Sequence, residues 1–429
     1  METMEVLHRC VSGLDVHKKT VVACRRRLLD SGKVEKEVKT FATTTAALLS
    51  LLEWLGEWRV SHVAMESTGV YWKPIWNILE GHVELLLVNA RHIKTVPGRK
   101  TDVKDCEWIA QLMQYGLLRA SFVPSPEVRQ WRDLTRHRTK LSDQHTAVVN
   151  RLHKVTSGVG LTLLEDANIK LSTVISDIMG VSGRRMLRAL ADGESDPIAL
   201  SAMGDKRLKA TPEELHASLL GQVQEHHRFM LSTLLDQIDF LEQQMTRLDE
   251  RIEVQMRPFE EAISRLDTID GVDRWGAQCL LAELGPDMAQ YPSADQGQPQ
   301  GHALSSWAGM SPGNDESAGK RRSGKTPKGN KWIRRTLTQS AWAATKRKGG
   351  YLSAQYRQLA ARRGKKRAIV ALGHTILVAA YHMLKDGVDY HDLGSDYFDQ
   401  RRRTRTMQHL VDRLERLGYE VKLEPKQAA

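Results

Sequence analysis

Cysteine is scarce in this chain. The four present, Cys10, Cys24, Cys106 and Cys279, form neither a CxxC pair nor a Cys/His zinc spacing. This excludes a zinc module and a disulfide framework, and it predicts inert thiols in a reducing compartment. The N-terminus has no apolar signal segment, so secretion is not expected. Long apolar runs are missing too, apart from AIVALGHTILVAAYHML at 368–384, which carries Gly373, His374 and His382. That run is barely long enough for a bilayer, which needs about 20 residues. It is expected to be a buried core helix, in a cytoplasmic, nucleoid-associated protein with no membrane partner. Acidic residues are absent from Ser317 to Lys385, where 18 Lys and Arg occur. A solvated charged face normally mixes both signs, so this stretch reads as an electrostatic footprint for nucleic acid. The whole chain holds 63 Lys and Arg against 52 Asp and Glu, a net charge of +11, which also favours a polyanionic partner.

What is present is a set of acids placed for metal chemistry. Asp15 lies in VSGLDVHKKTVVAC, which reads as strand, tight turn and strand, and Glu66 ends the apolar run of HVAME. Asp102 and Asp105 lie three residues apart in KTDVKDCEWIAQL, on one face of a predicted helix. Two strand-end acids and a helical pair can converge on two Mg²⁺ ions, spaced roughly 4 Å apart when they clamp a phosphodiester. Taken singly, each acid reads equally well as a cap or a paired structural charge. Four carboxylates packed together without a cation would repel and take up protons. His17, Lys18 and Lys104 lie near these acids.

A chain of 429 residues predicts two to four domains. Residues 1–125 alternate strands and helices, an α/β domain with a mixed sheet covered by helices. Residues 126–256 form a helical, coiled-coil middle. Its seam runs Leu134, Arg138, Leu141, His145, Val148, Leu152, Val155 and again Leu231, Leu234, Ile238, Leu241, Met245, Leu248, Ile252. The two halves can pair with each other or with a second subunit. An irregular insertion at about 158–212 carries no assignable chemistry. Residues 257–390 are mainly α, and LDTIDGVDRWGAQCLLAELG has the helix–glycine turn–helix form of a helix-hairpin-helix, with Asp273 where a second glycine is usual. Residues 391–429 form a charged tail.

GLDVHKKT, MESTGVYW and VNARHIKTVPGRKTDVKDCEWIAQL resemble the DEDD nuclease domain of bridge-RNA-guided insertion-sequence transposases. That domain is similar to the RuvC resolvase, an RNase H-like fold. GVDRWGAQCLLAELG, LSSWAGMSPGNDESAGKRRSGKT and PKGNKWIRRTL resemble the serine-bearing C-terminal domain of the same family. The resemblance implies that Asp15, Glu66, Asp102 and Asp105 bind Mg²⁺. It also implies a catalytic serine, Ser317 in ESAGKRR, where Ala318 stands in place of the usual glycine; Ser311 and Ser323 are nearby alternatives. Its implied partners are donor and target DNA, a structured non-coding guide RNA, and further copies of the chain as a homo-dimer or homo-tetramer.

A serine hydroxyl is a weak nucleophile until activated, and ESAGKRR supplies no histidine. Lys320, Arg321 and Arg322 can neutralise a phosphate in flight. Lys325, Lys328, Lys331, Arg334 and Arg335 continue the basic surface, in segments whose glycine and proline predict loops along a nucleic-acid backbone. Trp332, Tyr351 and Tyr356 can stack on bases. Tyr71, Trp72 and Trp76 have the spacing of core residues. The expected function is a DNA transposase that cuts and rejoins strands. The alternatives are a hydrolytic nuclease or junction resolvase using water, and an inactive nucleic-acid-binding scaffold.

Overall fold

The computed structural model describes residues 5–67, 69–89, 105–153, 163–291, 293–294, 304–312, 315–317, 320–401 and 403–421. The chain divides into two units, Met1–Pro124 and Ser125–Ala429.

In the first unit, alternating apolar residues and tight turns make an antiparallel meander of β1 (Cys10–Val16), β2 (Thr20–Leu28) and β3 (Val34–Ala42). Helix α1 (Thr45–Glu57) then leads to β4 (His62–Glu66), which pairs parallel to β1, and α2 (Trp72–Leu79) leads to β5 (Glu84–Val88), parallel to β4. Helix α3 (Asp105–Gln114) and the edge strand β6 (Ala120–Ser121) follow. The sheet order is β3-β2-β1-β4-β5-β6. One face of the sheet, with Leu14, Val63 and Met65, is buried under α1 and α2 through Leu51, Leu55, Ile75 and Leu79. The other, with Val11, Ala64 and Val88, is buried under Trp108, Ile109 and Leu112 of α3. Each such side chain contributes about 1.5–3 kcal/mol on burial.

Arg25 of β2 is 4% exposed. Its guanidinium lies 4.3 Å from both the Trp54 and the Trp58 ring centroids and donates to Glu37 at 2.9 Å and Glu57 at 2.8 Å. The hydrogen bond from Arg25 holds the Glu37 carboxyl below its ordinary range. A depressed carboxyl stabilises the fold fully above its unfolded value of about 4.3 and loses that contribution as pH falls through the folded value. Thermal unfolding of wild type and Glu37→Gln should therefore differ at neutral pH and converge as the pH is lowered below about 4.

In the second unit, α4 (Pro126–His153) and α10 (Glu225–Met256) form an antiparallel pair. Arg138 is bidentate to Asp249 at 3.0 and 3.1 Å, and His145 lies 3.1 Å from Glu242. Leu141, Val148, Leu152, Leu231, Leu234, Ile238 and Leu241 of the predicted seam are buried in one core. The two halves therefore pair within the chain. The stretch expected to be irregular holds α5 (Leu163–Asp166), α6 (Leu171–Val174), α7 (Val181–Ala191) and α8 (Pro197–Ser201), with α9 (Pro212–Leu219) at its end. These helices complete the same core with Leu164, Met186, Leu187, Leu200 and Leu215, and the turn before α7 adds Ile178. They escaped the sequence reading because helices of 4 to 11 residues are too short to show a period.

Beyond α10, the chain forms α11 (Glu260–Asp267), α12 (Arg274–Leu284) and α13 (Leu304–Trp307). A hairpin of β7 (Asp315–Ser317) and β8 (Lys320–Ser323) follows, then α14 (Lys331–Ala344), α15 (Tyr351–Arg363) and α16 (Lys365–Asp386), and lastly α17 (Tyr397–Arg401) and α18 (Arg403–Arg416). The basic segment expected to be loops is thus mostly helical: Gly350 and Gly364 sit at helix boundaries, where glycine ends one helix and admits the next. Among the described residues α16 alone is long and apolar enough to cross a membrane, and half of its apolar window is buried inside this unit. Its Leu372, Ile376 and Tyr381 pack with Leu280, Leu281, Ile333 and Leu337.

Candidate active site and nucleic-acid interface

The acids of the first unit are positioned by strand register. On the parallel pair β1 and β4, Leu14 lies opposite Met65, and Asp15 and Glu66 are the next residue on each strand. Side chains alternate across a sheet, so Asp15 shares a face with Gly13, and Glu66 with Ala64. That face is the one under α3. A Cβ on Gly13 would lie 2.3 Å from the Cys106 carbonyl oxygen and 2.4 Å from the Ala110 nitrogen. Only glycine permits this approach, and it brings the first turn of α3, beginning at Asp105, over the strand end that carries Asp15. Asp15 and Glu66 thus share one face at the C-terminal end of two parallel strands, the face that α3 covers, and Asp105 is an exposed residue at the start of that helix. Asp102 and Lys104 lie outside the described residues. Among the described residues, no group of three or more His, Cys, Asp and Glu stands at metal-holding distances.

The donor set is all carboxylate, the ligand type that suits a hard divalent cation such as Mg²⁺. Asp15 is part-exposed, at 22% of its side chain, and its Oδ2 lies 3.1 Å from Nε2 of the more exposed His17. The histidine is in contact with the acid and orients it. Burial pushes the Cys24 thiol of the same sheet up to about 12 and raises Cys10 above its ordinary value, which keeps both protonated at neutral pH. Cys279 in the second unit is raised by burial as well.

In the second unit, Ser317 is the last residue of β7, paired with Lys320 of β8, and Glu316 pairs with Arg321. The side chains of Ser317, Lys320, Arg321 and Arg322 lie outside the description. The feet of this excursion are pinned: Gly309 and Gly329 have φ of +70° and +50°, and a Cβ on Gly329 would lie 2.3 Å from the Gly309 nitrogen. The Asn330 N–H donates to the Trp307 carbonyl at 3.0 Å. Gly329→Ala is therefore expected to splay the feet and cost about 2 kcal/mol or more in thermal unfolding. Asn330 caps α14 by accepting from the Trp332 N–H at 2.9 Å and donates to Glu283 at 2.6 Å. Glu283 is 2% exposed and receives Arg136 at 2.7 and 2.8 Å. The alternative serines are both engaged: buried Ser311 lies 3.2 Å from Ser306 Oγ, and Ser323 accepts from the Lys325 N–H at 3.1 Å.

Of the basic residues singled out from the sequence, Lys325, Lys328 and Lys331 are exposed. Lys331 lies 4.9 Å from the Trp332 ring centroid, and Arg334 donates to the Pro327 carbonyl at 3.4 Å. Arg335 is bidentate to Asp143 at 2.6 and 2.5 Å and holds that carboxyl below its ordinary range, so a phosphate there competes with an existing ion pair. Tyr351 stacks on Phe398, centroids 5.1 Å apart, which occupies a face expected to be open to bases. Asp273 accepts from the Gly276 N–H at 2.7 Å and caps α12. A carboxylate therefore fills the place where a helix-hairpin-helix would meet phosphate. A cleft of about 440 Å³ lies between α4, α12 and α14, lined in part by Arg136, Arg138, Trp275, Trp332 and Arg335. Sequence reasoning named Arg138 only as a member of the helical seam and did not single out Arg136, although the run RHRTK in α4 was the signal for a basic lining.

Residues 12–159 match the IS110-type DEDD transposase family model, and residues 263–357 match the model described as transposase IS116/IS110/IS902 family. The first match contains Asp15, Glu66, Asp102 and Asp105; the second contains Ser317 and the basic residues after it. Over 340 residues the chain is 24% identical to a probable family 20 transposase of Pseudomonas aeruginosa, covering 78% of this chain and 80% of that one. The two matches stand in succession and together cover more than half of the sequence: the chain belongs to the IS110 family of transposases, whose business is DNA transposition.

Proposed function

We propose that this transposase cuts and rejoins DNA with a Mg²⁺-dependent carboxylate site and Ser317 as nucleophile, guided by a structured non-coding RNA. Residues 1–125 act as a RuvC-like, RNase H-like nuclease domain, and the sheet order, antiparallel through β3, β2 and β1 and parallel through β4 and β5, supports this. Residues 257–390 act as the serine-bearing domain. The observation that carries the reading is the common face of Asp15 and Glu66 at adjacent parallel strand ends, covered by the helix that Asp105 begins.

Asp15, Glu66, Asp102 and Asp105 would hold the metal. A Mg²⁺ ion held there would supply Lewis-acid stabilisation of the negative charge that develops on a scissile phosphate. Ser317 Oγ attacks phosphorus while its proton passes to a carboxylate. The Oγ–P bond forms, a P–O ester bond of the strand breaks, and the departing oxygen takes up that proton from the carboxylate and leaves as a hydroxyl. The phosphoserine conserves the ester-bond energy for rejoining. Lys320, Arg321 and Arg322 neutralise the phosphate, and Lys325, Lys328, Lys331, Arg334 and Arg335 hold the backbone. Base pairing with the guide RNA chooses donor and target, and the protein holds backbone and shape.

The chain acts as a homo-dimer or homo-tetramer. With the α4–α10 seam satisfied internally, the support for this moves to the outer face of α10. There Phe229, Phe240 and Val254 are 68%, 58% and 56% exposed and fall on one helical stripe.

Cleavage of a plasmid carrying the element ends, with the flanking RNA supplied, tests the proposal. Asp15→Asn and Asp102→Ala are each expected to lower Mg²⁺-dependent cutting by roughly 10³-fold, the several kcal/mol a catalytic metal contributes. Cutting at the wild-type rate by either variant contradicts it. Cutting lost in both but intact in Ser317→Ala identifies a hydrolytic nuclease.

A further inference from the structure

The turn between α15 and α16 concentrates positive charge just beyond the last residue that either family model matches, residue 357. Arg362, Arg363, Lys365, Lys366 and Arg367 surround Gly364, and all are exposed. Among the described residues none of the five makes an ion pair or side-chain hydrogen bond. Several arginines elsewhere in this unit are engaged: Arg138 with Asp249, Arg184 with Glu242, Arg274 with Glu260 and Arg335 with Asp143. No acid lies nearby in sequence, since the stretch from Ser317 to Lys385 contains none. Lys365, Lys366 and Arg367 also stand in the first turn of α16, where the helix dipole disfavours cations by about 0.3–1 kcal/mol each. An arrangement that costs stability in the free protein is explained by a polyanion that repays it.

The chemistry favours one form of nucleic acid. Sites for single strands combine cations with aromatic rings on which bases stack. Residues 361–367, ARRGKKR, contain no aromatic. Five cations around one interhelical turn, two ending α15 and three beginning α16, suit a duplex, which offers a phosphate about every 1.7 Å along its axis. We propose that the α15–α16 turn docks the phosphate backbone of duplex DNA without reading its sequence, at a surface separate from the hairpin that carries Ser317. The inference rests on the reading that the chain works on DNA and adds a second place where it holds it.

Binding of the full chain to arbitrary-sequence duplex DNA, duplex RNA of equal length and oligo-dT, measured by fluorescence anisotropy across a salt series, tests this. The slope of log K against log salt should become shallower on duplex DNA by about 0.9 for each phosphate left without its cation. Changing all five residues to Gln should remove up to about 4.5 from the slope, and Lys365→Gln with Lys366→Gln about 1.8. Replacing the three arginines by Lys should leave the slope nearly as in wild type. An unchanged slope on duplex DNA in both Gln variants overturns the proposal, as does a loss confined to RNA or to oligo-dT. Failure of the catalytic reading would appear separately, as cutting that survives Asp15→Asn while the slope change persists.

Discussion

Alanine at position 13 is expected to lower DNA cleavage by about a hundredfold and to destabilise the first unit by about 3 kcal/mol. The added methyl would meet the Cys106 carbonyl at 2.3 Å and the Ala110 nitrogen at 2.4 Å, both backbone atoms of α3. No rotamer change relieves such a clash. The helix has to retreat by about 1 Å to restore ordinary contact, and Asp105 retreats with it. A displacement of that size at a reacting centre costs about 10²-fold. Gly56→Ala is the matched control: a Cβ there meets nothing within 4 Å, and the position is helical. It should leave cleavage unchanged and stabilise by roughly 0.5–1 kcal/mol. Cleavage assays paired with thermal unfolding check both, and wild-type cleavage by Gly13→Ala would show that the α3 approach does not place Asp105.

Glu283→Ala is expected to destabilise the second unit by about 3–5 kcal/mol, the cost of leaving buried cations without their partner. Glu283 is 3% exposed at its side chain, and Arg132 and Arg136 beside it are 12% and 29% exposed. The same carboxylate accepts from Asn330, the residue that caps α14 and ends the segment bearing Ser317. The loss should appear as a melting temperature lower by about 10 °C, with DNA cleavage falling at temperatures where the variant remains folded. A melting temperature within about 2 °C of wild type would mean that the network does not anchor this segment.

The elements that carry the acids were legible because each acid sits in a short local pattern: Asp15 before a turn, Glu66 after an apolar run, Asp105 at a helix start. What sets Asp15 beside Glu66 and lays α3 against their face was not legible. It depends on the parallel register of β1 on β4 and on the contact between Gly13 and Cys106, two residues far apart in sequence. The core helix at 368–384 was legible from composition alone, whereas α5 to α9 were not, because their packing comes from the long helices beside them. Arg335 shows the limit of reading charge by composition. It belongs to an acid-free stretch, yet it pairs with Asp143, 192 residues away. Tyr351 shows the same limit for aromatics, since its stacking partner comes from the tail.

The central claim is that Ser317 and the carboxylates serve one reaction. A denaturing search for protein–DNA adducts, in cells expressing the protein with its native flanking DNA, tests it most directly. Wild type should yield a covalent adduct at Ser317, and Ser317→Ala and Asp102→Ala should yield none. Cut DNA without any adduct, persisting in Ser317→Ala, would contradict the account.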